Sequence, residues 1–202
     1  MMYSKYNEKN DILIAVVVLT LAFTLLINGG LFKINPSLLP IYAITAFSVT
    51  VTAFLLHELA HRTVARRLGA IAYFKLWKTG ILLALFTSLF GFIFAAPGAV
   101  EFAGLYDSKS EGKIAIAGPL TNIFFGGIFL TIHIFLNSGT VGFMLYYIAI
   151  LNLWFALFNL LPVPPLDGSK VFYWNSKIFA AIFIIAIILN FVDSFIPSLL
   201  GF

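Results

Sequence analysis

The sequence contains no cysteine among its 202 residues, and only 10% of its residues are charged. The absence of cysteine excludes disulfides and thiolate ligands, so any bound metal must be held by histidine, carboxylates or water. A soluble domain carries about 25% charged residues. Because 61% of the residues are hydrophobic and the mean hydropathy is +1.04, the composition indicates an integral membrane protein.

The few charges give a formal net charge of +4. The basic residues stand beside apolar stretches rather than in one patch, which is typical of orientation signals in membrane proteins. We therefore expect a lipid bilayer and no nucleic acid as partner. No linker or internal repeat divides the chain, so we predict one membrane-embedded domain over residues 1–202, with its core at 39–168 and accessory helices at 12–32 and 178–192.

Apolar stretches predict about five transmembrane helices, since about 20 apolar residues cross the hydrocarbon layer. The predicted spans are 12–32, 39–68, 114–136, 141–161 and 178–192. A further apolar stretch, 81–100, is interrupted by Gly91, Pro97 and Gly98, and it either crosses or dips in and returns.

The charge distribution favours a re-entrant 81–100 segment, which returns to the side from which it entered, over a segment that crosses the membrane. If the segment returns, all of the twelve lysines and arginines except Lys33 fall on one side of the membrane. If it crosses, they are divided almost evenly, against the positive-inside rule. We predict an all-α polytopic protein with a re-entrant segment around 81–100, its N-terminus in the cytoplasm and its C-terminus outside.

Two of the three histidines and a glutamate stand together in His57-Glu58-Leu59-Ala60-His61. On a helix, positions i and i+4 share a face, so both imidazoles can reach one ion, while Glu58 is rotated by about 100°. This is the H-E-x-x-H pattern of zinc proteases, in which the glutamate is the general base. A polar helix end with ordinary interfacial histidines is the alternative, but ionisable groups inside apolar spans usually mark functional sites.

A catalytic zinc site usually has three protein ligands. His133 is predicted at the opposite end of its span, whereas Asp167 follows three prolines that stop a helix. With a re-entrant 81–100 segment, two crossings separate His61 from Asp167, so both return to one face of the membrane. We therefore predict Asp167 as the third ligand. The alternative is a helix that ends in a prolyl turn, with the Asp167 side chain in a capping role in water.

The H-E-x-x-H motif combines with a second motif, Asn159-Leu160-Leu161-Pro162-Val163-Pro164-Pro165-Leu166-Asp167-Gly168. Together they resemble the site-2 protease family of intramembrane zinc metalloproteases, whose signature pairs HExxH with NxxPxxPLDG. The segment Gly118-Pro119-Leu120-Thr121-Asn122 is also similar to the central helix of that family. The stretch 92–100 is similar to its membrane re-entrant β-hairpin.

The resemblance implies one zinc ion held by His57, His61 and Asp167, with Glu58 as general base and proton shuttle. It also implies that Asn159 lies near the site and holds backbone or substrate. The alternative for Asn159 is a polar residue that satisfies carbonyls freed by the prolines. We expect Asn122 to serve packing and local hydrogen bonding rather than chemistry.

The implied function is intramembrane proteolysis in a cell membrane, with membrane-spanning proteins as substrates and the active site toward the cytoplasm. The re-entrant stretch 91–100 could offer a strand edge to an unwound substrate, as in β-augmentation. Two other functions remain open, a divalent-metal transporter and an inactive zinc-binding scaffold. A transporter predicts ligands distributed along a path through the membrane, and the intact Glu58 argues against a scaffold.

Overall fold

The computed structural model describes residues 7–93, 97–136 and 138–192. These residues are mostly helical, with one two-stranded sheet. The elements in chain order are α1 (Glu8–Asn28), a 3₁₀ turn (Leu31–Lys33), α2 (Leu39–Val49), a π-helical segment (Thr50–Leu55), α3 (Leu56–Arg67), β1 (Ile71–Leu76), α4 (Lys78–Ser88), β2 (Gly98–Ala103), α5 (Ser108–Phe135), α6 (Gly139–Asn159), α7 (Asp167–Trp174) and α8 (Ser176–Phe191).

Short polar residues begin several of these helices. The Asn7 side chain accepts a hydrogen bond from the Asn10 N–H, and the Asp107 side chain accepts one from the Ser110 N–H. Each oxygen satisfies a backbone donor that the first helical turn leaves without a partner. Helix α1 is capped by Gly29, the residue after its end, whose φ of +83° is a left-handed conformation that favours glycine.

Within the described ranges, four helical stretches are long and apolar enough to cross a membrane: α1, the continuous Leu39–Arg67 stretch, α5 and α6. The prediction of an all-α polytopic protein is confirmed. The predicted fifth span, 178–192, corresponds to α8, whose 16 residues rise about 24 Å and fall short of a hydrocarbon layer of about 30 Å.

The two ends of the segment between β1 and β2 lie next to each other, which agrees with the predicted re-entrant path. Helix α4 has 11 residues and is too short to cross. It runs beside α1 as far as the end of that helix, where the Leu31 N–H donates to the Leu89 carbonyl at 2.8 Å. The chain is back at its starting point by Pro97, whose carbonyl accepts from the Trp77 N–H at 2.9 Å.

The resemblance implies a β-hairpin in the re-entrant segment around 81–100, and the structure shows that residues 81–88 of this segment belong to helix α4. The hairpin partner of β2 is β1, which precedes this segment, and the two strands pair antiparallel with Phe74 opposite Val100. A helix satisfies its own backbone groups in an apolar setting, which explains why the apolar run 81–88 is helical. The centre of the predicted hairpin, residues 94–96, lies outside the described residues.

The outer edge of β1 is closed by carboxylates at the start of α1. The Phe74 N–H donates to Glu8 Oε1 at 2.8 Å, and the Leu76 N–H donates to Asp11 Oδ2 at 2.9 Å. Glu8 also pairs with Arg62 of α3 at 2.8 Å. These contacts fix the sheet against α1 and α3, and they leave the outer edge of β2 facing α3.

Candidate metal centre

Two imidazoles of α3 and one carboxylate of α7 converge on one point between α3, α5 and α7. His57 Nε2 and His61 Nε2 are 3.0 Å apart, and Asp167 Oδ2 lies 3.4 Å from the first and 3.2 Å from the second. Two tetrahedral ligands at about 2.0–2.1 Å from zinc stand about 3.3 Å apart. The three atoms therefore have the spacing of three corners of a zinc tetrahedron.

Hydrogen bonds on the far side of each ring hold the two histidines in the orientation that a metal ligand needs. His61 Nδ1 lies 2.7 Å from the Ile114 carbonyl oxygen, which can only accept. His57 Nδ1 contacts Asn122 Oδ1. Both Nδ1 atoms therefore carry the proton, which leaves each Nε2 lone pair free to face an ion.

Gly118 of α5 lies directly against the two rings. A Cβ at this position would stand 2.5 Å from His57 Nε2 and closer still to His61 Nε2. No side chain larger than hydrogen fits between α5 and the two nitrogen atoms. The glycine thus keeps open the space into which both imidazoles point.

Asp167 is the first residue of α7, after the proline-rich turn that ends at Leu166. Gly168 allows the close packing of this turn, because a Cβ there would collide with the Leu160 carbonyl. Asp167 Oδ2 lies within 3.4 Å of both imidazole nitrogens. An aspartate side chain has an ordinary pKa of about 3.9, and its ionised form is the one that binds a metal.

Glu58 lies beside the three candidate ligands and is not one of them. Its Oε2 accepts a hydrogen bond from the Val100 N–H at 2.9 Å. Since Phe74, opposite Val100, directs its own N–H away from the sheet to Glu8, the Val100 N–H belongs to the outer edge of β2. The carboxylate thus connects the candidate metal ligands to a strand edge.

A cleft of about 200 Å³ opens over these side chains. The outer edge of β2 lines this cleft at Gly98, Val100 and Phe102, and Leu166 also lines it. Asn159 also lines the cleft, but its Nδ2 donates to the Phe155 carbonyl of its own helix at 2.9 Å. This bond is the backbone-satisfying contact of the alternative interpretation, so the role of Asn159 toward substrate stays a prediction.

The structure brings together His57, Glu58, His61 and Asp167, as the sequence predicts. His133 lies elsewhere, with its Nδ1 at 3.0 Å from the Gly142 carbonyl. In the described part of the chain, His57, His61 and Asp167 form the one group of three histidine, cysteine or acidic side chains that could hold a metal ion. Their donor set of two nitrogens and one carboxylate oxygen is one that zinc accepts.

Sequence reasoning missed three features of this site: the contact of Asn122 with His57, the close approach of Gly118, and the hydrogen bond from Val100 to Glu58. The spacing of Gly118 and Asn122, four residues apart on one face of α5, was a signal that both face the same neighbour. No signal in the sequence pairs Val100 with Glu58.

Comparison with known proteins gives two informative relatives from Methanocaldococcus jannaschii. "Putative zinc metalloprotease MJ0611" is 42% identical over 153 residues, which cover 71% of this chain and 78% of that protein. The chain belongs to this family of zinc metalloproteases. "Zinc metalloprotease MJ0392" is 29% identical over 154 residues, which cover 76% of this chain but 40% of the relative. No family model and no solved structure matches the chain.

Membership in the family of zinc metalloproteases implies zinc as the metal. The structure contributes the group of side chains that fits this ion, together with four apolar helices that make the chain a membrane protein. The H-E-x-x-H stretch lies in one of those four helices, Leu39–Arg67. Two of the three candidate ligands, His57 and His61, are therefore part of a helix that is long enough to span the bilayer.

Proposed function

We propose that this zinc metalloprotease is an intramembrane endopeptidase of the site-2 protease type, which hydrolyses peptide bonds in or near transmembrane segments. The observation that carries the proposal is the convergence of His57, His61 and Asp167 on one point, with Glu58 beside them. A hydrolytic site of this kind within an apolar helix can act on peptide segments that soluble proteases do not reach. The substrates are membrane-spanning proteins.

In this proposal, His57, His61 and Asp167 hold one zinc ion. Bound zinc supplies Lewis-acid polarisation of the scissile carbonyl and of the attacking water. The Glu58 carboxylate accepts the proton of that water and passes it to the leaving amine. The cleft over the site admits the water that hydrolysis consumes, and Asn159 lies on its wall to position backbone or substrate.

The outer edge of β2 is the proposed binding surface for the substrate. A transmembrane helix hides its carbonyls in hydrogen bonds, so the bond to be cut must first become extended. An extended peptide can add to a free strand edge by main-chain hydrogen bonds. The edge of β1 is closed by Glu8 and Asp11, whereas the edge of β2 lines the cleft, where the Val100 N–H donates to Glu58.

Phe102→Pro tests the strand-edge proposal. Phe102 lies two residues after Val100 on β2, so its N–H also points away from β1. Proline at this position removes that hydrogen-bond donor, and proline is tolerated at a strand edge. One lost hydrogen bond to substrate costs about 1 kcal/mol, so we expect kcat/KM to fall about five- to tenfold. Phe102→Ala, which removes the ring and keeps the N–H, is the control. Equal cleavage by the two variants would argue against substrate pairing with β2.

The proposed orientation places the N-terminus and the active site toward the cytoplasm of a cell membrane. Arg62, Arg66 and Arg67 follow the H-E-x-x-H motif directly, which fits the positive-inside rule. The re-entrant path of the chain between Trp77 and Pro97 supports the same orientation, because it keeps the basic residues on one side. Residues 1–202 act in this proposal as one membrane domain with its core at 39–168.

The proposal is tested by mass spectrometry of a panel of single-span membrane proteins incubated with the zinc-loaded protein in detergent. We expect cleavage products that disappear after chelation and return when zinc is restored. The cut positions then show how deep in the bilayer the site lies. Absence of products from a zinc-loaded, folded protein would contradict the proposal.

The two alternative functions give different results in the same preparation. A divalent-metal transporter would move zinc into liposomes without cutting any substrate. An inactive scaffold would bind zinc and substrate with neither flux nor cleavage. The gathering of the candidate ligands at one point, rather than along a path through the helices, favours the protease over the transporter.

A further inference from the structure

Two buried asparagines lead from the metal centre into the helices behind it. Asn122 of α5 and Asn152 of α6 are both 0% exposed, and Asn122 Nδ2 lies 3.2 Å from Asn152 Oδ1. Asn152 in turn contacts Thr52, in the π-helical segment directly before the H-E-x-x-H motif, at 2.8 Å. Four side chains on three helical stretches thus form one continuous path: Thr52, Asn152, Asn122 and His57.

The direction of each hydrogen bond on this path is fixed by its neighbours. The Thr52 hydroxyl donates to the Ser48 carbonyl at 2.8 Å, so its oxygen must accept from Asn152. The second amide proton of Asn152 is donated to the Ile148 carbonyl at 2.8 Å. Because both protons of the Asn152 amide are used, its Oδ1 is the atom that faces Asn122.

The same reasoning fixes Asn122. Its Nδ2 donates to the Ala53 carbonyl at 2.9 Å and to Asn152 Oδ1, so only Oδ1 remains for His57. An oxygen there requires a proton on His57 Nδ1, which leaves Nε2 unprotonated toward His61 and Asp167. A flipped Asn122 amide would present a donor to Nδ1 and favour the opposite tautomer, which cannot bind a metal through Nε2.

We propose that Asn152 is a positioning residue of the metal centre, which acts together with the Ala53 carbonyl to hold the amide orientation of Asn122 and through it the tautomer of His57. This inference rests on the proposed role of His57 as a zinc ligand. Thr52 acts at the far end of the same path, so the π-helical segment and α6 both contribute to the geometry of the site. Replacement of partners behind a metal ligand typically costs about 10–100-fold in metal affinity.

The test uses the full chain in detergent with Asn152→Leu and Thr52→Val. We expect both variants to bind zinc about tenfold more weakly in competition with a chelator. We also expect the Nδ1 proton of His57, observed by ¹⁵N NMR of the zinc-loaded protein, to exchange with water faster than in the wild type. The two substitutions lie on different helices, so a shared effect on one proton identifies the path between them.

Matched controls separate this effect from simple loss of packing. Thr45→Val changes a threonine that is 0% exposed and whose hydroxyl donates only within its own helix, to the Ile41 carbonyl. Asn190→Leu removes an asparagine that donates to the Leu153 carbonyl, next to Asn152. Both controls should keep the affinity for zinc and the exchange rate of the His57 proton.

The inference is overturned if Asn152→Leu and Thr52→Val bind zinc as the wild type does, or if Asn190→Leu weakens binding equally. Failure of the proposed function gives a different result. A protein that shows the expected proton exchange and zinc affinities but cuts no substrate would keep the positioning role of Asn152 and reject only the protease.

Discussion

Replacing Glu58 with glutamine is expected to abolish cleavage while leaving zinc bound. Glutamine has nearly the shape of glutamate, and its side-chain oxygen can still accept from the Val100 N–H. It cannot accept a proton from water near neutral pH, and a positioned general base contributes about 10²–10⁴-fold to rate. The measurement is the rate of product formation from a single-span substrate, together with the zinc content of the purified variant.

Glu101→Gln is the matched control for Glu58→Gln. Glu101 lies on the neighbouring strand β2 and pairs with Lys75 at 3.0 Å, with about half of each side chain exposed. Exposed ion pairs contribute little to stability, so this variant should cleave at the wild-type rate. If Glu58→Gln retained a cleavage rate within tenfold of the wild type, Glu58 would not be the general base.

The sequence predicts which side chains converge at the candidate metal centre, because the chemistry of metal binding leaves few alternatives. Only three histidines are present, and the i, i+4 spacing of His57 and His61 places both on one helix face whatever the rest of the chain does. Asp167 follows from topology, since an even number of crossings returns it to the face of His61. The path of the chain from Trp77 to Pro97 supplies the physical reason, because both ends of that segment meet at one sheet.

The errors concern interactions that depend on distant parts of the chain. The resemblance places the hairpin inside the re-entrant segment, whereas β2 pairs with β1, which precedes that segment. Burial alternates along β1, with Ala72 and Phe74 buried between more exposed neighbours, but the run Ile71-Ala72-Tyr73-Phe74 does not alternate in polarity. The strand, its partner and its register are therefore set by tertiary contacts such as those of Glu8 and Glu58 with the sheet. Likewise, the contact between Asn122 and His57 arises only when α3 packs against α5.

Gly118→Ala is expected to lower zinc affinity by at least 100-fold. An ion bound by both imidazoles has to lie about 2.0–2.1 Å from each Nε2. A Cβ on Gly118 would lie 2.5 Å from one of these atoms and closer to the other, so the methyl group and the ion compete for one space. Alanine favours the helical conformation by about 1 kcal/mol relative to glycine, so the loss of zinc should occur without loss of helix content.

Gly127→Ala is the control on the same helix, because a Cβ there meets nothing within 4 Å. This variant should bind zinc and cleave substrate as the wild type does, with equal or slightly higher thermal stability. Zinc affinity by chelator competition and helix content by circular dichroism are measured for both variants. Wild-type zinc affinity in a folded Gly118→Ala protein would mean that the ion does not lie between His57 and His61, and the assignment of all three ligands would then fail.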